Sequence, residues 1–160
     1  MGNDTYKIME AVMDYLSEDG WDCMHDRARN EIHMVVDLES GITIPMRFAL
    51  EKDEPVIVCI GVLPLNIPKE KTIRQSIAEY ICAANYGFPL GAGIQFDVLG
   101  DGKIIYSECI QLIEGVLPKK EEVIATMVVI CMVFDMYVSG IKRVLLGERP
   151  EDVIADIEKM

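Results

Sequence analysis

The chain switches between helical and strand periodicity. From residue 4 to 17, Ile8, Val12, Tyr15 and Leu16 recur at i, i+4, i+7 and i+8, which makes one apolar helical stripe. Asn3 or Asp4 can cap its start by accepting from a first-turn amide, and Gly20 ends it. Trp21 to His25 predicts a short edge strand. Over residues 31–38 the period becomes two: Ile32, Met34, Val36 and Leu38 face one way, and Glu31, His33 and Asp37 the other. Residues 42–50 repeat this, with Ile42, Ile44, Met46, Phe48 and Leu50 opposite Thr43 and Arg47. Ser40-Gly41 is a tight turn between them, so the two strands pair as an antiparallel hairpin with one covered and one wetter face. Glu51 to Glu54 is a charged loop. Pro55 then opens the more uniformly apolar run Val56 to Val62, expected near the sheet centre.

The second half returns to helical spacing. Pro68 is expected in the first turn of a helix, where its missing N–H costs nothing. Ile73, Ile77, Tyr80, Ile81 and Ala84 carry that helix to Asn85 or Tyr86, and Gly87 and Pro89 stop it. Two strands are predicted at about residues 91–98 and 103–110. Ala92, Ile94, Phe96 and Val98 share one face of the first. Asp101-Gly102 is a hairpin turn in which both positions favour positive φ. A long helix from about Pro118 to Leu146 is closed by Gly147 and Pro150, and an acidic helix from 151 to 159 follows. The fold class is α+β: an antiparallel sheet of five to six strands with helices packed on it, in the order α-β-β-β(-β)-α-β-β-α. Residues 1–160 make one domain, with 147–160 as a C-terminal acidic helical extension.

The long helix breaks the usual amphipathic rule. Every residue from Met127 to Phe134 is apolar, which is more than two full turns, so the polar stripe of a helix on a sheet is missing there. It returns only at Asp135, Ser139, Lys142 and Arg143. Either another element of the same chain or a second copy covers the outer side. Val128, Val129, Met132, Val133 and Met136 are the candidate contacts to a second copy or to a client. The run Val123 to Phe134 falls short of the roughly 20 apolar residues that span a bilayer, so no membrane span is expected.

Composition narrows the partners. With 27 acidic and 15 basic residues the formal net charge is −12. No nucleic-acid partner is expected, because phosphate backbones require clustered Lys and Arg, and anionic membrane surfaces are disfavoured for the same reason. The five cysteines have no Cys-x-x-Cys spacing. With an N-terminus that does not read as a signal peptide, they point to reduced thiols and a cytoplasmic location.

Chemistry is sparse. His25 and His33 with Cys23 match no metal-ligand spacing. No nucleophile elbow or phosphate loop is present, and Glu121-Glu122 and Glu151-Asp152 sit at helix starts where negative charge complements the dipole. No enzyme activity, catalytic residue, metal or cofactor is expected.

The segment ANYGFPLGAGIQFDVLGDGKIIYSECI, residues 84–110, resembles the YbjN-like family, whose fold is similar to that of type III secretion chaperones. The matching positions are Asn85 at a helix end, Leu90-Gly91 before a strand, Asp97, the hairpin Asp101-Gly102, and Tyr106. The family's aromatic residue after the Leu-Gly pair is Gly93 here. The resemblance implies a cytoplasmic homodimeric binding module without a catalytic site. The expected function is a non-enzymatic protein-binding module, chaperone-like or regulatory, with a protein or peptide client held at a sheet edge or in an apolar groove. The alternative is a small-molecule-sensing regulator with a pocket between the sheet and the second helix.

Overall fold

The computed structural model describes residues 2–51, 53–87 and 93–159, with side chains from Thr5 onward. The period-two segments become strands. β2 (Glu31–Asp37) and β3 (Thr43–Leu50) form the hairpin across Ser40-Gly41, closed by Leu38 N–H donating to Ile42 O at 2.8 Å. β1 (Cys23–Asp26) adds at the edge of β2. β4 (Val56–Leu63) pairs with β3 on one side and with β6 (Ile104–Gln111) on the other, which places the most apolar strand at the centre as expected. β5 (Gln95–Phe96) is the far edge. The result is one antiparallel six-stranded sheet, order β1-β2-β3-β4-β6-β5.

Four helices complete the described chain: α1 (Gly2–Glu18), α2 (Lys71–Gly87), α3 (Lys120–Leu145) and α4 (Pro150–Ile157). The inner face of the sheet, built from Ile32, Ile44, Met46, Phe48, Ile57, Cys59, Ile104 and Tyr106, packs on Met127, Ile130, Val133 and Phe134 of α3. Each fully buried apolar side chain contributes about 1.5–3 kcal/mol to this core. Two small residues let the layers meet. A Cβ on Gly61, in the middle of β4, would lie 2.6 Å from Ile130 Cγ2 and 3.0 Å from Phe134 Cε2 of α3. A Cβ on Gly140 would collide with the Tyr80 ring of α2, and Tyr80 donates its hydroxyl proton to the Tyr137 carbonyl at 3.1 Å. α4 folds back onto this pair and inserts Val153 and Ile157 into the core. No described helix lies on the opposite face of the sheet.

Several expectations are corrected. α1 starts at Gly2, ahead of the proposed caps Asn3 and Asp4, whose side chains lie outside the described ones. Pro68 stands before α2 instead of in its first turn, because its carbonyl accepts from Arg74 Nε at 2.9 Å and the helix begins at Lys71. Leu90, Gly91 and Pro89 lie outside the described residues, and the strand predicted over 91–98 is confined to Gln95–Phe96. The reason is Asp97. Its carboxylate accepts from the amides of Gly100 (2.8 Å) and Asp101 (2.9 Å), which curls residues 97–101 into a capped loop. Only Gly102 takes positive φ, at 78°, while Asp101 does not. Finally, α3 runs on past Asp135 to Leu145, 26 residues in all, and by length and composition alone it is apolar enough to cross a membrane. Its buried stripe, Val123 to Val144, packs instead on the sheet and α2, as a core helix does.

The close approach at Gly61 yields a test. Gly61→Val pushes Ile130 and Phe134 off the sheet and is expected to cost about 1–3 kcal/mol of overpacking, read as a lower urea midpoint. An unchanged midpoint would show that the α3–sheet distance does not depend on this glycine.

Candidate functional site

The packing of α3 sorts its apolar run. Met127, Ile130, Val133 and Phe134 go into the core, and Val129 and Cys131 are half-buried on its flanks. Val133, read from sequence as an interface residue, is fully buried because it points at the sheet. It cannot contact a partner. What remains outside is a strip one turn apart: Val128, Met132 and Met136, exposed by 40%, 56% and 43%.

This strip forms one wall of an open groove of about 600 Å³. The other wall is the end of β2 and the turn after it, residues 36–39, with Trp21 also lining the space. The walls are tied together by Asp135. Its Oδ1 accepts from Ser40 N–H at 2.9 Å and its Oδ2 from Glu39 N–H at 3.2 Å, so a helix side chain caps the β2–β3 turn. The groove is therefore apolar along its length and acidic at its rim, where Asp37, Glu39 and Asp135 gather. Among the described residues none of these three carboxylates lies in an ion pair with Lys or Arg.

A second hollow, about 550 Å³, lies beside α2 and the loop 98–100 and is lined by Lys69, Lys71, Arg74 and Gln75. Arg74 is the buried charged residue of the described chain, 5% exposed. Its guanidinium donates to three carbonyls: Pro68 (2.9 Å), Val98 (2.9 Å) and Gly100 (3.0 Å). Its Nη2 is buried with no hydrogen-bond partner among the described residues. Sequence reasoning missed this residue. The signal was present, because Arg74 shares the buried face of α2 with Ile77, Ile81 and Ala84, and a cation on an apolar stripe demands partners. The turn-capping role of Asp135 was missed too, although a lone Asp inside an apolar helix carries the same signal.

The sequence motif residues act as local clips. Asn85 Nδ2 donates to Ile94 O and Asn85 Oδ1 accepts from Ile94 N–H, both at 2.9 Å, which pins the end of α2 to the segment before β5. Asp101 accepts from Lys103 N–H at 3.0 Å, which holds its carboxyl below the usual range, and its side chain pairs with Lys103 Nζ at 3.1 Å. Gly102 lies against Ile67 and Arg74, and Tyr106 packs edge-on against Phe134 at 6.5 Å between centroids. All five cysteines are free. No group of three or more His, Cys, Asp or Glu is placed to hold a metal among the described residues.

The buried acids of the core are thiols and phenols. Burial raises Cys59 far above its ordinary 9.0 and raises Cys131, with the nearby Asp135 charge adding to the latter. Burial likewise raises Tyr80, Tyr106 and Tyr137. Their folded values lie above the unfolded ones, so the stability they contribute is complete below the unfolded thiol value near 9 and is lost as pH climbs toward the folded values. The urea midpoint is expected to be level at neutral pH and to fall above about pH 9, with a shallower fall in Cys59→Ala. A midpoint that is flat to about pH 11 overturns the burial argument.

No protein-family model matches this sequence, and no curated protein matches it. Among solved structures, the chain is similar to the crystal structure of YbjN from E. coli, a protein proposed there to be a transcription regulator. The TM-score is 0.51 at 10% identity, over 82% of this chain and 91% of that one. The likeness is one of fold: this chain has a YbjN-like α+β fold.

Proposed function

We propose that this chain is a non-enzymatic protein-binding module of the cytoplasm, chaperone-like or regulatory in role, that works as a homodimer. The observation that carries the binding role is the groove between α3 and the end of β2. It is apolar along Val128, Met132 and Met136, and it is walled by a turn that Asp135 holds in place. An apolar channel of about 600 Å³ accommodates a few side chains of a segment laid along it. Methionines suit such a surface because their unbranched side chains repack around different partners. The rim adds a preference, since its three carboxylates, in no ion pair with Lys or Arg among the described residues, favour a client whose apolar residues alternate with Lys or Arg. A regulatory role accords with the description of E. coli YbjN, whose fold this chain shares.

The test is a peptide array of apolar–basic segments followed by titration of the best binder. Wild type is expected to bind saturably and more weakly as salt rises. Met132→Glu is expected to weaken binding roughly tenfold or more by placing a charge in the apolar wall. Glu39→Gln is expected to leave binding in place while flattening its salt dependence. Absence of saturable binding by wild type up to about 1 mM removes the reading.

A second reading, a small-molecule-sensing regulator, is favoured by the unpartnered Nη2 of buried Arg74 beside a hollow lined by Lys69 and Lys71. That lining selects small anions such as phosphates or di- and tricarboxylates. It is checked by melting-temperature shifts with a panel of these anions. A shift that disappears in a Lys69→Gln, Lys71→Gln double variant supports sensing. No shift with any of them counts against it.

A further inference from the structure

The hollow beside α2 runs against the charge of the chain. The chain carries −12, yet three cations line this hollow, Lys69, Lys71 and Arg74, and no acid does. Among the described residues none of the three lies in an ion pair with Asp or Glu. Glu70, between the two lysines, accepts instead from the Thr72 hydroxyl at 3.1 Å. Arg74 is buried and donates to backbone carbonyls alone, so it is a buried charge without a counter-charge. Charges buried in folded proteins are paired. In a chain with 27 acidic residues, the gap at this one place points to an anion from outside.

The remaining lining is mostly apolar, and it is laid out in order. Lys71, Gln75 and Ala78 follow one another along one flank of α2. The wall therefore changes from cationic to apolar over roughly 10 Å of helix. Val98 and Leu99 of the loop after β5 complete the apolar end, exposed by 38% and 94%. That loop is preset. Asp97 caps the amides of Gly100 and Asp101, and Arg74 Nη1 holds the carbonyls of Val98 and Gly100. A hollow of about 550 Å³ is the size of a small-molecule site, in which apolar walls bury the ligand and a few polar groups orient it.

We infer that the hollow takes a small amphiphilic anion, with a carboxylate or phosphate head at Lys69 and Lys71 and an apolar tail along Ala78, Val98 and Leu99. The inference rests on the sensing reading and narrows it from small anions in general to anions that carry a tail. The two ammonium groups meet either head as point charges. The head also supplies the counter-charge that Arg74 lacks. It acts through space, because Arg74 Nη2 is itself buried and lies against Gly102. The tail takes Leu99 and Val98 out of water, which adds affinity that a bare anion cannot gain. A single molecule in solution suits the site better than an anionic bilayer, since a chain of −12 is repelled by a negative surface.

The experiment is calorimetric titration of the full chain with n-octyl phosphate and octanoate, against inorganic phosphate and acetate as heads without tails. The octyl probes are expected to bind one per chain, roughly tenfold or more tighter than their bare heads. The Lys69→Gln, Lys71→Gln double variant is expected to lose roughly tenfold or more of that affinity, with unliganded melting unchanged. Met132→Glu, in the α3 groove, is expected to bind as wild type does. Equal affinity for phosphate and octyl phosphate overturns the tail and leaves the sensing reading standing. Octyl binding that survives the lysine pair overturns the inference, and its loss in Met132→Glu then places the probe in the α3 groove. Pelleting with phosphatidylglycerol vesicles, without binding of octyl phosphate in solution, overturns it in favour of a membrane contact. No binding of any probe overturns the inference and the sensing reading together.

Discussion

The architecture depends on how closely α3 approaches the centre of the sheet. Gly61 removes the one side chain that would hold Ile130 and Phe134 away from β4. With the layers in contact, Met127, Ile130, Val133 and Phe134 bury fully, and the remaining elements organise around the helix. α1 flanks one side of it. α2 docks on the other through Tyr80 against Gly140, and α4 returns to close that side. Because α3 is apolar on every side through its middle, these neighbours cover most of it. What they leave open is the strip Val128, Met132 and Met136, so the groove is a consequence of the same packing that makes the core.

Electrostatics then distinguishes the surfaces. Several arginines are engaged locally: Arg143 binds Glu148 and Asp156, Arg149 binds Asp152, and Arg47 binds Glu31. Arg74 spends its guanidinium on backbone carbonyls inside the fold. The groove rim keeps Asp37, Glu39 and Asp135, none of them in an ion pair with Lys or Arg among the described residues.

Most elements were legible from periodicity. The β2–β3 hairpin, the central position of β4, the buried face of α2 and the long α3 all follow from spacing that reports which side of an element faces apolar surroundings. Where the reading missed, a specific side-chain contact had overridden the pattern. Asp97 caps the amides of Gly100 and Asp101 and so ends β5 after two residues. Arg74 claims the carbonyl of Pro68 and delays the start of α2. The interface list drawn on α3 included Val133, because an all-apolar run carries no mark of which residues face the sheet.

The sequence by itself therefore determined the fold class, the order of elements, the apolar excess of α3 and the acidity of the chain, since each is a property of local pattern or of sums. Only the tertiary structure decided which apolar residues stay outside. That depends on the rotation of α3 about its axis and on which face of the sheet the helices choose. Both are settled by contacts between residues far apart in the chain, such as Gly61 with Ile130 and Asp135 with the β2–β3 turn.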